Sequence, residues 1–160
     1  MPIPASFVDR LSLPVIGAPM FIASTPDLVI EQCKAGIVGS FPALNARPAS
    51  QLDEWLARIK EELDAYAKAN PAAKVAPFAV NQIAHASNDR LQHDVEACVR
   101  HKVPLIITSL RPPREIVEKL LIDVAGLCVA ARNTDYVRAA LDGWEAAGKC
   151  SAIGHACTLD

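Results

Sequence analysis

The chain has 160 residues, of which 51% are hydrophobic, and a formal net charge of −2 at pH 7. This length can bury the core of one domain, and the balanced charge gives no general attraction to nucleic acid or anionic lipid. No apolar run approaches the roughly 20 residues of a membrane span, and the first residues lack the features of a signal peptide. We therefore expect one cytoplasmic domain, residues 1–160, without nucleic-acid or membrane partners.

The cysteines indicate a reduced protein without a metal site. They are five in number, which does not suit a disulfide framework. Cys33 and Cys98 fall on the apolar faces of predicted helices, where a cysteine acts as a small hydrophobe. Cys150, His155 and Cys157 are close in sequence but match no recognised zinc spacing.

Strand and helix patterns alternate from residue 13 onward. Residues 13–18 form a short apolar run that predicts a buried parallel strand. Thr25 is expected to cap a helix that has Pro26 in its first turn and ends at Gly36. Residues 37–41 then predict a second strand.

Further strand–helix pairs follow. Ser50 and Asp53 resemble a capping box before a helix whose apolar residues recur at helical spacing. A third strand at 77–81 precedes a helix capped near Ser87 or Asn88. A fourth strand at 105–109 precedes a helix over 114–121. Weaker patterns predict a fifth strand at 126–131 and a fifth helix at 134–147, and residues 148–160 have no clear element.

Successive βα units imply a parallel sheet with right-handed crossovers. The pattern alone leaves a barrel and an open doubly wound sheet as alternatives. The glycine fingerprint of dinucleotide-binding sheets does not follow the first strand.

Four segments, in order, resemble the nitronate monooxygenase family (formerly 2-nitropropane dioxygenases): residues 13–20 (LPVIGAPM), 39–45 (GSFPALN), 78–81 (FAVN) and 107–110 (ITSL). The resemblance covers residues 1–121, and residues 122–160 form a divergent tail. It implies an α/β fold of the parallel (β/α)8 TIM-barrel type with flavin mononucleotide (FMN) as cofactor. In such a barrel the active site lies at the carboxyl ends of the strands.

The resemblance also implies roles for residues at those strand ends. Ala18, Pro19 and Met20 would lie against the flavin ring, and Asn81 would bond its polar edge, since an amide both donates and accepts. Without the family, the same residues read as a strand end and a turn asparagine. Thr108 and Ser109 follow the fourth strand and would face the substrate or bond nearby backbone.

A histidine in a Gly-His-Ala or Gly-His-Pro setting is the family's general base. Gly154-His155-Ala156 resembles this motif, although Cys157 stands where glycine is usual. The imidazole suits the role because its pKa lies near working pH. His155 is therefore the candidate catalytic base, with an incidental tail histidine as the alternative. His85 is a weaker candidate, and we expect His93 and His101 to lie on helix surfaces.

Three functions follow from these observations. The first is oxidation of alkyl nitronates by a flavin-dependent oxidoreductase with oxygen as co-substrate. The second is a related FMN barrel such as an enoyl-reductase-like enzyme, and the third is a truncated chain without flavin. A full barrel takes about 250 residues and holds phosphate after strands seven and eight. We find no glycine-rich phosphate loop and expect an incomplete barrel of four to five βα units, whose exposed edges would suit a homo-oligomer.

Overall fold

The structure is a computed structural model that describes residues 9–109 and the backbone of residues 127–130. Its elements in chain order are α1 (Pro26–Lys34), β1 (Gly39–Pro42), a 3₁₀ turn (Ala43–Asn45), α2 (Gln51–Ala69), β2 (Phe78–Ile83), α3 (Leu91–Arg100), β3 (Leu105–Ser109) and β4 (Leu127–Ala130). The strand predicted at 126–131 is confirmed by β4. The helices predicted over 114–121 and 134–147 lie outside the described residues.

The strands form one sheet in the order β1-β2-β3-β4, and each neighbouring pair is parallel. In the register Phe41 lies opposite Val80, and Ile83 lies opposite Ser109. Each of the first two crossovers runs through a helix, α2 between β1 and β2 and α3 between β2 and β3. The predicted parallel βα sheet is therefore confirmed, and the carboxyl ends of its strands share one edge.

The predicted first strand, residues 13–18, is reduced to a single parallel bridge between Ile16 and Val38. Val38 N–H donates to the Val15 carbonyl at 3.0 Å, and Gly17 N–H donates to the Val38 carbonyl at 2.8 Å. The expected burial is wrong, because Leu13 is 59% and Val15 47% exposed. In the described part of the chain this segment lies at the margin of the sheet, bordered on one side by the segment of Val38.

Successive side chains of a strand point in opposite directions, so the apolar side chains of these strands cover both faces of the sheet. One face packs on the helices and holds most of the core, including Phe41, Val80 and Ile106 from the strands and Leu56 and Ile59 from α2. A smaller cluster lies on the other face, called the inner face below. It consists of Val38, Ala79, Leu105 and Ile107, with Leu11 packed against it.

Helix α1 ends as the sequence predicts. Gly36 has φ +81°, a left-handed conformation that glycine adopts without a steric penalty. Its N–H donates to the Cys33 carbonyl at 3.0 Å, and Ile37 N–H donates to the Gln32 carbonyl at 3.2 Å. These two bonds form a Schellman motif, which satisfies carbonyls at the helix end.

The predicted helix starts are less accurate. Neither Thr25 nor Ser50 makes a side-chain capping bond, so the capping box expected of Ser50 is wrong. Ser50 is already helical, and the first amides of α2 donate to the carbonyls of Pro48 and Ala49. Backbone turns thus replace the side-chain cap. None of the helices in the described ranges combines the length and apolar character required to cross a bilayer.

Candidate functional site

The carboxyl ends of the strands place polar side chains on the inner face. Ser40, Asn81 and Ser109 alternate with helix-facing neighbours and so share a face with Val38, Ala79 and Ile107. Each lies two residues nearer the carboxyl end than the apolar residue of its own strand. In the register the three step outward from Ser40 to Asn81 to Ser109, which forms a staggered polar rim. This arrangement suits an organic ligand with a polar edge.

Asn81 and Ser109 are bonded to each other within this rim. The Ser109 hydroxyl donates to Asn81 Oδ1 at 2.7 Å, and Asn81 is only 6% exposed. In residues 9–109 no group accepts a hydrogen bond from Asn81 Nδ2. The amide therefore keeps two N–H donors, with its orientation set by Ser109.

The segment after the Ile16 bridge reaches the same edge of the sheet. The Ser40 hydroxyl donates to the Gly17 carbonyl, which ties this segment to β1 from the inner face. Ala18 and Met20 follow directly and are exposed, and Pro19 is half-buried. The structure thus brings the predicted ring-contacting residues to the edge that holds Asn81.

Sequence reasoning missed Asn45, which holds the loop of residues 20–24, called the strand-one loop below. Its Oδ1 accepts from Ile22 N–H at 3.0 Å, and its Nδ2 donates to the carbonyls of Met20 at 3.0 Å and Ser24 at 2.9 Å. Asn45 lies in the family-like segment 39–45, which was the available signal. Its partners are more than twenty residues away, so no local pattern indicates the contact.

Thr108 is separated from Ser109 by the pleat of β3. Thr108 is fully buried, on the same face as Ile106, which packs among the helices. Its register partner Gln82 is also buried there and donates from Nε2 to Cys98 Sγ at 3.3 Å. A substrate contact fits Ser109, whereas Thr108 belongs to the helix-facing core.

The four histidines lie in different parts of the chain. His155, the candidate base, lies outside the described residues. His85 follows β2 and is exposed, with Nδ1 2.8 Å from Ser87 Oγ. On α3, His93 lies beside Asp94, whereas His101 closes the helix with Nε2 2.9 Å from Asp53 Oδ1.

The described cysteines are inert. Cys33 and Cys98 are buried and free, as predicted. Burial raises the pKa of the Cys33 thiol to about 11 and that of Cys98 to about 12. Both are therefore neutral thiols at physiological pH, unlike reactive cysteines. Within residues 9–109 no group of histidine, cysteine or acidic side chains could hold a metal ion. Cys150, His155 and Cys157 are not among the residues that the structure describes.

No family model matches the sequence, and no curated protein matches it either. Among solved structures, FabK from Thermotoga maritima matches with a TM-score of 0.68 and 19% identity, over 84% of this chain and 39% of that chain. A point mutant of the same FabK matches with a TM-score of 0.67 and 18% identity, over 84% of this chain and 41% of that chain. The chain thus spans about two fifths of the FabK chains it matches.

At these identities the likeness concerns the fold. The matching FabK chains are TIM barrels, and the parallel sheet described above overlays part of one. The predicted fold class, a parallel (β/α)8-type barrel present in part, is confirmed. The carboxyl edge that gathers Asn81, Ser109 and the strand-one loop is the edge where such barrels carry their active sites.

Proposed function

We propose that this chain contributes the ring-binding part of an FMN-dependent oxidoreductase of the nitronate monooxygenase type. The observation that carries the proposal is the Asn81 amide, which Ser109 holds and whose Nδ2 donates to no group within residues 9–109. It lies at the same sheet edge as Ala18 and Met20. The likeness of residues 13–20, 39–45, 78–81 and 107–110 to that family supports the same assignment.

The residues present fit a flavin ring. Asn81 and Gly17 are separated by two strand spacings, roughly 10 Å, which is comparable to the length of a fused three-ring system. Asn81 Nδ2 would donate to carbonyl or ring-nitrogen acceptors at the polar edge of the flavin. The exposed Met20 side chain would offer a soft apolar surface to the ring.

The described helices offer no glycine-rich cradle to the phosphate of FMN. Each of the three described helices begins without a glycine-rich loop, at Thr25-Pro26, Ser50-Gln51 and Arg90-Leu91. A phosphate without such backbone donors loses charge-assisted hydrogen bonds. We therefore propose that residues 9–109 recognise the ring, and we expect FMN to bind weakly.

The proposed substrates are an alkyl nitronate and oxygen. When bound, the flavin would supply the redox chemistry by taking electrons from the nitronate and passing them to oxygen. The chain's part is to orient the ring through Asn81, while Ser109, whose hydroxyl holds the Asn81 amide, would lie beside the substrate. His155 is the proposed base that removes the proton next to a nitro group, so that neutral nitroalkanes are used as well.

A second candidate is an enoyl-reductase-like flavin barrel, which the structural overlap with FabK favours. The two candidates differ in how the flavin is reduced. An enoyl reductase needs a nicotinamide cofactor as electron donor, whereas a nitronate is its own donor. Anaerobic bleaching of FMN by the chain with a nicotinamide cofactor, and not with a nitronate, would favour the second candidate.

Oxygen consumption tests the proposed function. The purified chain, supplied with excess FMN and an alkyl nitronate, is expected to consume oxygen faster than FMN alone. Asn81→Ala should lower this rate about tenfold, because the ring loses an orienting donor. Asn70→Ala is the matched control, since Asn70 lies at the end of α2 that leads into β2, at the opposite edge of the sheet. Oxygen consumption no faster than that of FMN alone would refute the proposal.

A further inference from the structure

The strand-one loop is shaped by Asn45. The carboxamide of Asn45 makes three hydrogen bonds to the backbone of this loop, one through Oδ1 and two through Nδ2. Three more bonds lie within the loop: Met20 N–H donates to Ser24 Oγ at 2.9 Å, Ser24 N–H to the Met20 carbonyl at 3.0 Å, and Ala23 N–H to the Phe21 carbonyl at 2.8 Å. Both N–H donors of the Asn45 amide are used. The loop backbone therefore fixes the orientation of the amide, and the amide in turn holds the loop backbone.

The loop conformation needs such a support. Ile22 has φ +66°, a left-handed conformation that β-branched residues rarely adopt. Ile22 is 77% exposed, so burial of its side chain does not hold the backbone in place. Ala23 N–H donates to the Phe21 carbonyl at 2.8 Å across Ile22. Asn45 adds the contact from outside the loop, because its Oδ1 accepts from Ile22 N–H at 3.0 Å. Strained residues persist where the surroundings over-determine them, and they cluster at ligand-binding sites.

A second contact comes from the same turn of the chain. The Arg47 guanidinium lies 5.1 Å from the centre of the Phe21 ring, a cation–π distance. Arg47 is itself anchored, because its backbone N–H donates to Gln51 Oε1 at 3.1 Å. The turn after β1 therefore holds the loop through both backbone and side chain.

We propose that Asn45 is a positioning residue for flavin, an inference that rests on the proposed function. It fixes the backbone of Met20 where the ring would lie and touches no part of the ring itself. The loop of the free chain is then preorganised for the ring. Without Asn45, binding would have to order the loop and would be weaker.

Titration with riboflavin, which lacks the phosphate, isolates the ring contacts. Quenching of riboflavin fluorescence is expected to show at least tenfold weaker binding to Asn45→Ala than to the unaltered chain. Asn70→Ala, which removes one side-chain bond to the Tyr66 carbonyl, should bind within twofold of the unaltered chain. Equal affinity of Asn45→Ala and the unaltered chain would overturn the inference.

Amide hydrogen exchange separates this inference from the proposed function. In Asn45→Ala the Ile22 amide should exchange at least tenfold faster, whereas the Gly17 amide, bonded to the Val38 carbonyl, should be unchanged. If the core amides of Val80 and Ile106 also exchanged faster, Asn45 would stabilise the fold as a whole, and this result would overturn its positioning role. If the unaltered chain binds no riboflavin, the proposed function fails. Unchanged exchange at Ile22 refutes the hold of Asn45 on the loop in either case.

Discussion

Ser109 and Asn81 are joined side chain to side chain across two parallel strands, with 2.7 Å between Ser109 Oγ and Asn81 Oδ1. Ser109 lies opposite Ile83 in the register, two residues beyond Asn81 on β2. The serine hydroxyl donates a hydrogen bond to the amide oxygen, and within residues 9–109 the amide nitrogen donates to no other group. The register between β2 and β3 thereby determines which atoms of Asn81 are available to a ligand.

Replacement of Ser109 by alanine should reveal this bond. We expect Ser109→Ala to lower the free energy of unfolding by about 0.5–1.5 kcal/mol, the usual net value of one hydrogen bond. Riboflavin affinity should also fall, because the Asn81 amide loses the partner that orients it. Urea denaturation and riboflavin titration measure the two effects. Ser87→Ala, which removes an exposed hydroxyl beside His85, is the control and should change neither. Unchanged riboflavin affinity in Ser109→Ala would show that Asn81 needs no such orientation.

The strain at Ile22 gives a second prediction. Ile22→Gly should leave the free energy of unfolding unchanged or raise it by up to about 1 kcal/mol, because relief of the left-handed strain offsets the added freedom of glycine. Ile30→Ala should instead cost about 2–5 kcal/mol, since Ile30 is 1% exposed and its loss leaves a cavity. Denaturation curves of both variants measure the contrast. A loss at Ile22 as large as that at Ile30 would contradict the account of the loop.

Asp53 predicts a pH dependence of stability. Partial burial raises the pKa of this carboxyl, but hydrogen bonds from Arg100 and His101 outweigh it and hold the pKa below the ordinary value of 3.8. Since the folded state has the lower pKa, the carboxylate stabilises the fold above about pH 4, and this contribution is lost as the pH falls through the folded-state pKa. Asp53→Asn should therefore lower the Tm at pH 7 and have a smaller effect near pH 3.

The control for this prediction is Asp64→Asn, which changes an exposed carboxylate of the same helix. It should have little effect on the Tm at either pH, because surface charges contribute little to stability. A difference between Asp53→Asn and the unaltered chain that is equally large at pH 3 and pH 7 would refute the ionic origin of the effect.

His155 carries a kinetic prediction that comes from its motif alone. In an active preparation, His155→Asn should cut turnover of neutral nitroalkanes by about 10²–10⁴-fold, the usual contribution of a general base. Turnover of nitronates should fall much less, because they have already lost the proton. Steady-state kinetics on both substrates measure the ratio. Equal losses on the two would assign His155 a positioning role.

The parallel sheet was predictable because its strands are apolar runs separated by amphipathic helices. The end of α1 was predictable as well, because Gly36 is a local signal for a helix stop. The first strand was misjudged because the apolar character of residues 13–18 does not reveal that they lie at a sheet margin. The exposure of a strand depends on which other strands border it. The apolar pattern within one segment does not contain that information.

Parts of the candidate site were also beyond local patterns. Asn81 was singled out because it ends a strand, but its bond to Ser109 depends on the register between β2 and β3. Thr108 and Ser109 are adjacent in sequence, and only the pleat of β3 assigns them to opposite faces. Asn45 was missed because its partners lie in residues 20–24, more than twenty residues earlier in the sequence.

Flavin titration shows whether the sheet edge at Asn81 binds the flavin ring. Riboflavin and FMN are added separately to the purified chain, and saturable fluorescence quenching gives the two dissociation constants. We expect weak but saturable riboflavin binding, reduced about tenfold by Asn81→Ala and unchanged by Asn70→Ala. We also expect FMN to bind no more than a few-fold tighter than riboflavin, since the described helices offer no phosphate cradle.

Two results of this titration would contradict the account. An absence of saturable riboflavin binding would mean that the Asn81 edge does not hold a flavin ring. Riboflavin binding that is identical in Asn81→Ala and the unaltered chain would place the ring elsewhere. The predicted result is a tenfold loss of riboflavin affinity in Asn81→Ala and no change in Asn70→Ala. Equal affinities of both variants and the unaltered chain would refute the proposed site.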